Sequence, residues 1–261
     1  MEAIVLDLDG TLLTSKEKIS EKTKNILYKL REKGIKIIIA TGRSYKSLKP
    51  YKDMLGPDTP VVCFNGAKIV DISEKTVFEL PLEDKLSKKC IDIAKEMGIH
   101  INFYQNEVWY VEEETEEAHM YKESSGLDFE IKKINDFDNF NMTKLLFIGA
   151  NERLKELEKK IHEAIGDEVN KVFSKKHYLE VMNKDVNKGE ALKKLFMMEG
   201  INIEKVIAFG DAWNDLEMLQ IVGHGVAMGN AEEELKALVG RSCGTNDEDG
   251  IGEYLEKIFR N

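Results

Sequence analysis

Ala3-Ile4-Val5-Leu6-Asp7-Leu8-Asp9-Gly10-Thr11 is the stretch on which the fold turns. Its first four residues read as a short buried strand. Two carboxylates in D-x-D spacing stand at the end of that run, and a glycine turn follows at once. In an extended chain residues i and i+2 project to one side. Asp7 and Asp9 are therefore expected to point together into the crevice beyond the strand, with Leu8 pointing away. Like charges that close repel each other unless a cation or a proton lies between them, and all-oxygen ligation of this kind suits Mg²⁺. Taken alone, the same residues also fit a strand that ends in a solvated Asx turn.

Two further apolar runs end in the same manner. Ile35-Lys36-Ile37-Ile38-Ile39-Ala40 delivers Thr41-Gly42-Arg43-Ser44, and Val206-Ile207-Ala208-Phe209 delivers Gly210-Asp211-Ala212-Trp213-Asn214-Asp215. Asn187-Lys188-Gly189-Glu190-Ala191-Leu192 opens an amphipathic helical stretch ahead of the latter. An open parallel sheet places its ligand groups outside the carboxyl ends of its strands, which is where each polar cluster would lie.

Together these segments resemble the haloacid dehalogenase superfamily of phosphohydrolases, in particular its Cof-like branch with the large α/β cap (subclass IIB). Asp7-Leu8-Asp9-Gly10-Thr11-Leu12-Leu13 is similar to the first motif and Thr41-Gly42-Arg43 to the second. Lys188-Gly189 is similar to the third, and Gly210-Asp211 with Asn214-Asp215 to the fourth. Asn65-Gly66-Ala67, Val226-Ala227-Met228-Gly229-Asn230-Ala231 and Asn246-Asp247-Glu248-Asp249-Gly250-Ile251 also resemble that branch. The likeness reaches both ends of the chain, while the stretch 82–182 carries no motif. The resemblance implies an α/β fold, with a Rossmann-like parallel-sheet core (1–81 and 183–261) and an inserted α/β cap domain (82–182).

The composition agrees with such an enzyme. A chain of 261 residues, 42% hydrophobic, is long enough for a core with an insert. The formal net charge of −10 argues against a nucleic-acid surface, which would need a clustered basic patch. It leaves a small phosphorylated metabolite open as substrate, because local cations such as Lys188 and Arg43 set the field at a site. Cys63, Cys90 and Cys243 are odd in number and scattered, so neither a disulfide framework nor a zinc site is indicated. No run has the length to span a bilayer and no basic leader precedes an apolar stretch, so a cytoplasmic location without membrane partners is expected.

The periodicity of the chain alternates between strand and helix. Ser20 is positioned to cap a helix that stops at Gly34, Tyr45 to Leu55 reads as the next helix, Val61 to Phe64 as a strand, and Lys68 to Leu80 as a hairpin. Pro81 marks the exit from the core. In the insert, Leu86 to Met97 and Arg153 to Ile165 read as helices. Ile99 to Tyr104, Val108 to Val111, Lys144 to Ile148, Val172 to Phe173 and Tyr178 to Val181 read as strands. The acidic stretch Thr115 to Glu123 fits a helix or a solvated loop. Two helices on one face of a mainly antiparallel sheet is the simplest packing for this order.

The resemblance assigns roles. Asp7 is the candidate nucleophile, forming an aspartyl phosphate that water then hydrolyses. Asp9 supplies a metal ligand through its backbone carbonyl and uses its side chain as general acid, then as base. Asp211 is the third protein ligand to Mg²⁺, after Asp7 and Asp9. Lys188 neutralises charge on the phosphate and on Asp7, and a lysine at a helix start needs an anionic partner to offset the dipole. Asp215 orients Lys188 or a metal-bound water. Leu8, Thr41, Gly42, Arg43 and Asn214 are placed at the phosphate or substrate, Thr41 through its hydroxyl and Gly42 by permitting close approach. Trp213, Trp109-Tyr110, His119 and His177 stay outside this set. The leading reading is a Mg²⁺-dependent phosphatase for a sugar phosphate or cofactor-like phosphate. A phosphotransferase or mutase of the phosphomannomutase kind and a non-catalytic phosphate-binding protein are the alternatives.

Overall fold

The computed structural model describes residues 1–259. They divide into two compact units, one built from residues 1–78 and the chain from Asn187 onward, the other from Glu79 to Val186.

In the first unit the apolar runs become the strands of one sheet. In chain order these are β1 (Ala3–Leu6), β2 (Lys36–Ala40), β3 (Val61–Cys63), β4 (Lys68–Val70), β5 (Thr76–Glu79), and, past the second unit, β12 (Val206–Gly210) and β13 (His224–Ala227). Their spatial order is β13-β12-β1-β2-β3-β4-β5. Pairing is parallel from β13 through β3 and antiparallel between β3 and β4. Both faces of the central strands are buried, which explains why they read as continuous apolar runs rather than alternating ones. Ala3, Val5, Ile38, Ala40, Val206 and Ala208 line one face beneath α6 (Lys188–Glu199), whose Ala191, Leu192, Leu195 and Phe196 fill the space above them. The helix α1 (Glu21–Glu32) starts at Ser20, whose side chain accepts from Thr23 N, and it packs against α9 (Gly250–Phe259). β1 lies beside β12, and the chain leaves β1 toward β2 and β12 toward β13 on opposite sides, the switch in direction beyond whose carboxyl ends open α/β sheets place their ligand groups.

The second unit carries a six-stranded sheet. Its elements are α3 (Asp84–Glu96), β6 (His100–Gln105), β7 (Val108–Val111), α4 (Glu116–Ser125), β8 (Glu130–Ile131), β9 (Lys144–Ile148), α5 (Asn151–Ile165), β10 (Val169–Lys175) and β11 (Tyr178–Asn183). The strand order is β10-β11-β9-β6-β7-β8, antiparallel apart from β7 with β8. Cys90, Ile91 and Ala94 of α3 and Leu154, Leu157 and Ile161 of α5 pack on Ile101, Phe103, Leu145, Phe147, Leu179 and Val181. The opposite face has a helix of its own. Thr115 accepts from Ala118 N and caps α4, which lays Tyr121 against Leu146, Ile148 and Tyr178. The unit therefore has helices on both faces, where the sequence predicts two helices on one. Trp109 belongs to this interior and donates its indole N–H to Asn102 Oδ1 at 2.8 Å. Among the described residues no helix is long and apolar enough to cross a membrane.

Candidate active site

Three parallel strands end side by side, and each hands its next residue to the crevice. Asp7 follows β1, Thr41 follows β2, and Asp211 follows β12. The N-terminus of α6 brings the fourth group. Asn187 caps this helix by accepting from Glu190 N, and Lys188 is its first residue.

Lys188 is fully buried, an expensive position for an ammonium unless it is paired. Its Nζ donates to Asp7 Oδ1 at 2.7 Å and to Asp215 Oδ1 at 2.6 Å, both carboxylates being themselves buried. These charge-assisted bonds hold the lysine cationic, with its pKa above the usual range. The other oxygen of Asp215 accepts from the backbone N–H of Asp211 at 3.0 Å and of Ala212 at 3.1 Å. Asp215 is thus a fixed strut: it orients Lys188 and shapes the turn that carries Asp211.

One carboxylate oxygen from each of Asp7, Asp211 and Asp215 lies within 4.8 Å of the others. Three carboxylates face one ammonium. Burial, opposed by Lys188 and reinforced by the charges of Asp215 and Asp211, pushes Asp7 well above the ordinary carboxylate range. Asp211 is pushed up to about 6, mainly by burial, even though Thr11 Oγ1 donates to its Oδ1 at 2.7 Å. A net negative cluster of hard oxygen donors is what a divalent cation would neutralise, so the residues fit Mg²⁺. Since both oxygens of Asp215 are engaged, Asp7 and Asp211 are the side chains with ligand capacity to spare.

Asp9 is set by a turn and not by a continuing strand. The strand stops at Leu6, and Gly10 takes a φ of +78°, so the period-two alternation does not reach Asp9. Its side chain is more than half exposed and accepts two bonds from Arg43, at 2.8 Å from Nε and 2.6 Å from Nη2. The Asp7 carboxylate is paired with Lys188 and the Asp9 carboxylate with Arg43. Arg43, expected at the substrate, is given over to Asp9. A side chain at Gly10 would be strained by the positive φ and would displace Asp211, whose Oδ2 lies 2.3 Å from where a Cβ would stand.

The remaining predicted residues fall around this centre. Leu8 is fully buried and has only its backbone to offer. Thr41 is buried, and its Oγ1 accepts from Arg43 N at 3.2 Å, leaving the hydroxyl hydrogen to donate elsewhere. Asn214 donates to Asn65 Oδ1 at 2.9 Å, and a Cβ on Gly42 would lie 3.0 Å from that same oxygen. Gly42, Asn65 and Asn214 therefore form one row, with Asn65 held in the left-handed region at φ 56°. Trp213 is 43% exposed and donates to Glu232 Oε2 at 2.9 Å.

Thr11, Asn65 and Asn230 were not singled out for roles by the sequence. Asn230 donates to Gly10 O at 2.8 Å and accepts from Asn246 N at 3.1 Å, tying the turn after Asp9 to the C-terminal segment. All three lie inside stretches that carry the family resemblance, which was the available signal. Nothing local says what each touches.

A parallel sheet with Asp7 and Asp211 at adjacent strand ends, and a buried lysine joining Asp7 to Asp215, is the arrangement of an α/β enzyme. Comparison with known proteins gives the family. The sequence profile of the haloacid dehalogenase-like hydrolases matches residues 4–255. A Haemophilus influenzae protein bearing a provisional phosphatase name is 33% identical over 98% of this chain and 96% of its own length. The HMP-PP phosphatase of Yersinia pestis is 29% identical over 95% and 92% respectively. The crystal structure of a haloacid dehalogenase-like hydrolase from Bacteroides thetaiotaomicron superposes with a TM-score of 0.89 at 30% identity, covering 99% of both chains. The chain belongs to the haloacid dehalogenase-like hydrolase family and is an enzyme of its phosphatase group.

Proposed function

We propose that this enzyme hydrolyses a small organophosphate, a sugar phosphate or a cofactor-like phosphate, through an aspartyl phosphate on Asp7 and with Mg²⁺ as cofactor. The observation that carries the reading is the buried Lys188 bridging Asp7 and Asp215. A nucleophile among like charges needs its cation fixed in place before an anionic substrate arrives.

Asp7, Asp211 and the backbone carbonyl of Asp9 would hold Mg²⁺, which when bound lowers the repulsion between the Asp7 carboxylate and the phosphate. Among the described residues no hydrogen bond occupies Asp7 Oδ2, while Oδ1 is tethered to Lys188. Oδ2 is thus the oxygen assigned to attack phosphorus in line. Lys188, locked by Asp215, faces the charge that develops on the transferring phosphoryl group. The Thr41 hydroxyl donates to one phosphoryl oxygen, and the second N–H of the Asn214 amide, the first being held by Asn65, donates to another. Leu8 contributes through its backbone, and Gly42 leaves room for the phosphate. Asp9 protonates the leaving oxygen and then deprotonates the water that attacks the aspartyl phosphate. Residues 82–182 are assigned the choice of leaving group, since the motifs for the chemistry all lie outside that stretch.

A panel of phosphorylated metabolites scored for free phosphate tests this reading. Release of phosphate from sugar or cofactor-like esters is expected. Transfer to a second sugar without release would instead make the enzyme a mutase, and binding without turnover would make it a phosphate-binding protein.

A further inference from the structure

Arg43 and Asp9 form an ion pair at the turn that follows Asp7. The guanidinium grips Asp9 through two nitrogens at 2.8 and 2.6 Å, a fork geometry that fixes the plane of the carboxylate. Arg43 is fixed in turn. Its charged group lies 5.3 Å from the centre of the Tyr51 ring and 3.8 Å from Glu17 Oε1, its N–H donates to Thr41 Oγ1, and its carbonyl accepts from Phe64 N. Its side chain is only 17% exposed, whereas that of Asp9 is 57% exposed. The rigid partner is therefore Arg43. An exposed carboxylate on a turn has several staggered positions open to it, and this fork selects one.

We propose that Arg43 is a positioning residue, acting on turnover through the direction it gives the Asp9 carboxylate and not through contact with substrate. The inference rests on the phosphatase reading above. A base or acid displaced by about 1 Å loses on the order of a hundredfold in rate, so the clamp places Asp9 within reach of the leaving oxygen without spending substrate binding on the task. Arg43 commits two of its five guanidinium N–H groups, one to each oxygen of Asp9, to this task.

A double-mutant cycle tests this. Arg43→Ala, Asp9→Ala and the double variant are assayed with glycerol 2-phosphate and with p-nitrophenyl phosphate. Asp9 is exposed and its side chain bonds only Arg43 among the described residues, so Asp9→Ala is expected to fold. Arg43→Ala should lower kcat for glycerol 2-phosphate about 10- to 100-fold with KM nearly constant. The fall should be smaller for p-nitrophenyl phosphate, whose leaving group departs without a proton. Arg43→Lys should recover part of the rate. In the Asp9→Ala background the Arg43 substitution should have no further effect. An equal loss in that background, a rise in KM at unchanged kcat, or no loss at all would overturn the positioning role. Absence of turnover in the unaltered protein with every ester would instead overturn the phosphatase reading and this inference with it.

Discussion

Replacing Lys188 by Met removes the one buried cation between Asp7 and Asp215 while nearly conserving volume. Its bonds at 2.7 and 2.6 Å lie in a dry site, and truncating one partner of a buried pair costs about 3–5 kcal/mol. Protonation sets the ceiling on that cost. Neutralising one carboxyl from an ordinary pKa near 3.9 costs about 4 kcal/mol at pH 7 but about 1.5 kcal/mol at pH 5. In excess chelator Lys188→Met should therefore lose about 4 kcal/mol of unfolding free energy at pH 7 and less than half of that at pH 5. The sign follows from linkage: stranded carboxylates have folded pKa values raised above their unfolded ones, so stability returns as pH falls. Urea unfolding measures this, with the core transition identified as the one that Mg²⁺ shifts in the parent. A loss under about 1 kcal/mol at pH 7, or one that does not change with pH, would show that the lysine is not the charge partner of the cluster.

Other predictions concern the metal. Asp211 is pushed up to about 6 and Asp7 is held well above the ordinary carboxylate range, both mainly by burial, so protons and Mg²⁺ compete for the same oxygens. The increment in melting temperature produced by Mg²⁺ should accordingly be large at pH 7.5 and shrink as pH falls through about 6. Comparing metal-loaded with chelated protein at each pH cancels His100 and His224, which burial pushes down and which lose stability on acidification. Thermal melts with and without Mg²⁺ check it, and an increment constant from pH 7.5 to 5.5 would count against these ligands. Chelator should abolish turnover, and Asp211→Asn should raise the half-saturating Mg²⁺ concentration at least about tenfold. A titration of activity against free Mg²⁺ decides that.

Much of this architecture was legible because it is local. Val108–Val111 and Lys144–Ile148 begin and end where their residues predict, and Ser20 starts α1. The parallel order could be read because each apolar run ended in polar chemistry. The site was legible as a set of residue types at strand ends and illegible as a set of contacts. Thr11 meets Asp211 across 200 residues and Asn65 meets Asn214 across 149, and neither pair leaves a periodic trace. The Arg43 partner of Asp9 left no trace either, because the strand ends at Leu6 and a positive-φ glycine turns the chain there. The acidic face of α4 similarly hid the fact that Tyr121 covers a second face of the sheet in the insert.

The central claim is that Asp7 receives the phosphoryl group. The direct measurement is rapid acid quench of the enzyme during turnover of a ³²P-labelled ester, followed by digestion and mapping of the label. Label on the peptide bearing Asp7, present at short times, chased by unlabelled substrate and absent from Asp7→Asn, is the predicted result. Steady turnover with no label on that peptide at any quench time, or an Asp7→Asn variant that turns over as fast as the parent, would contradict the account.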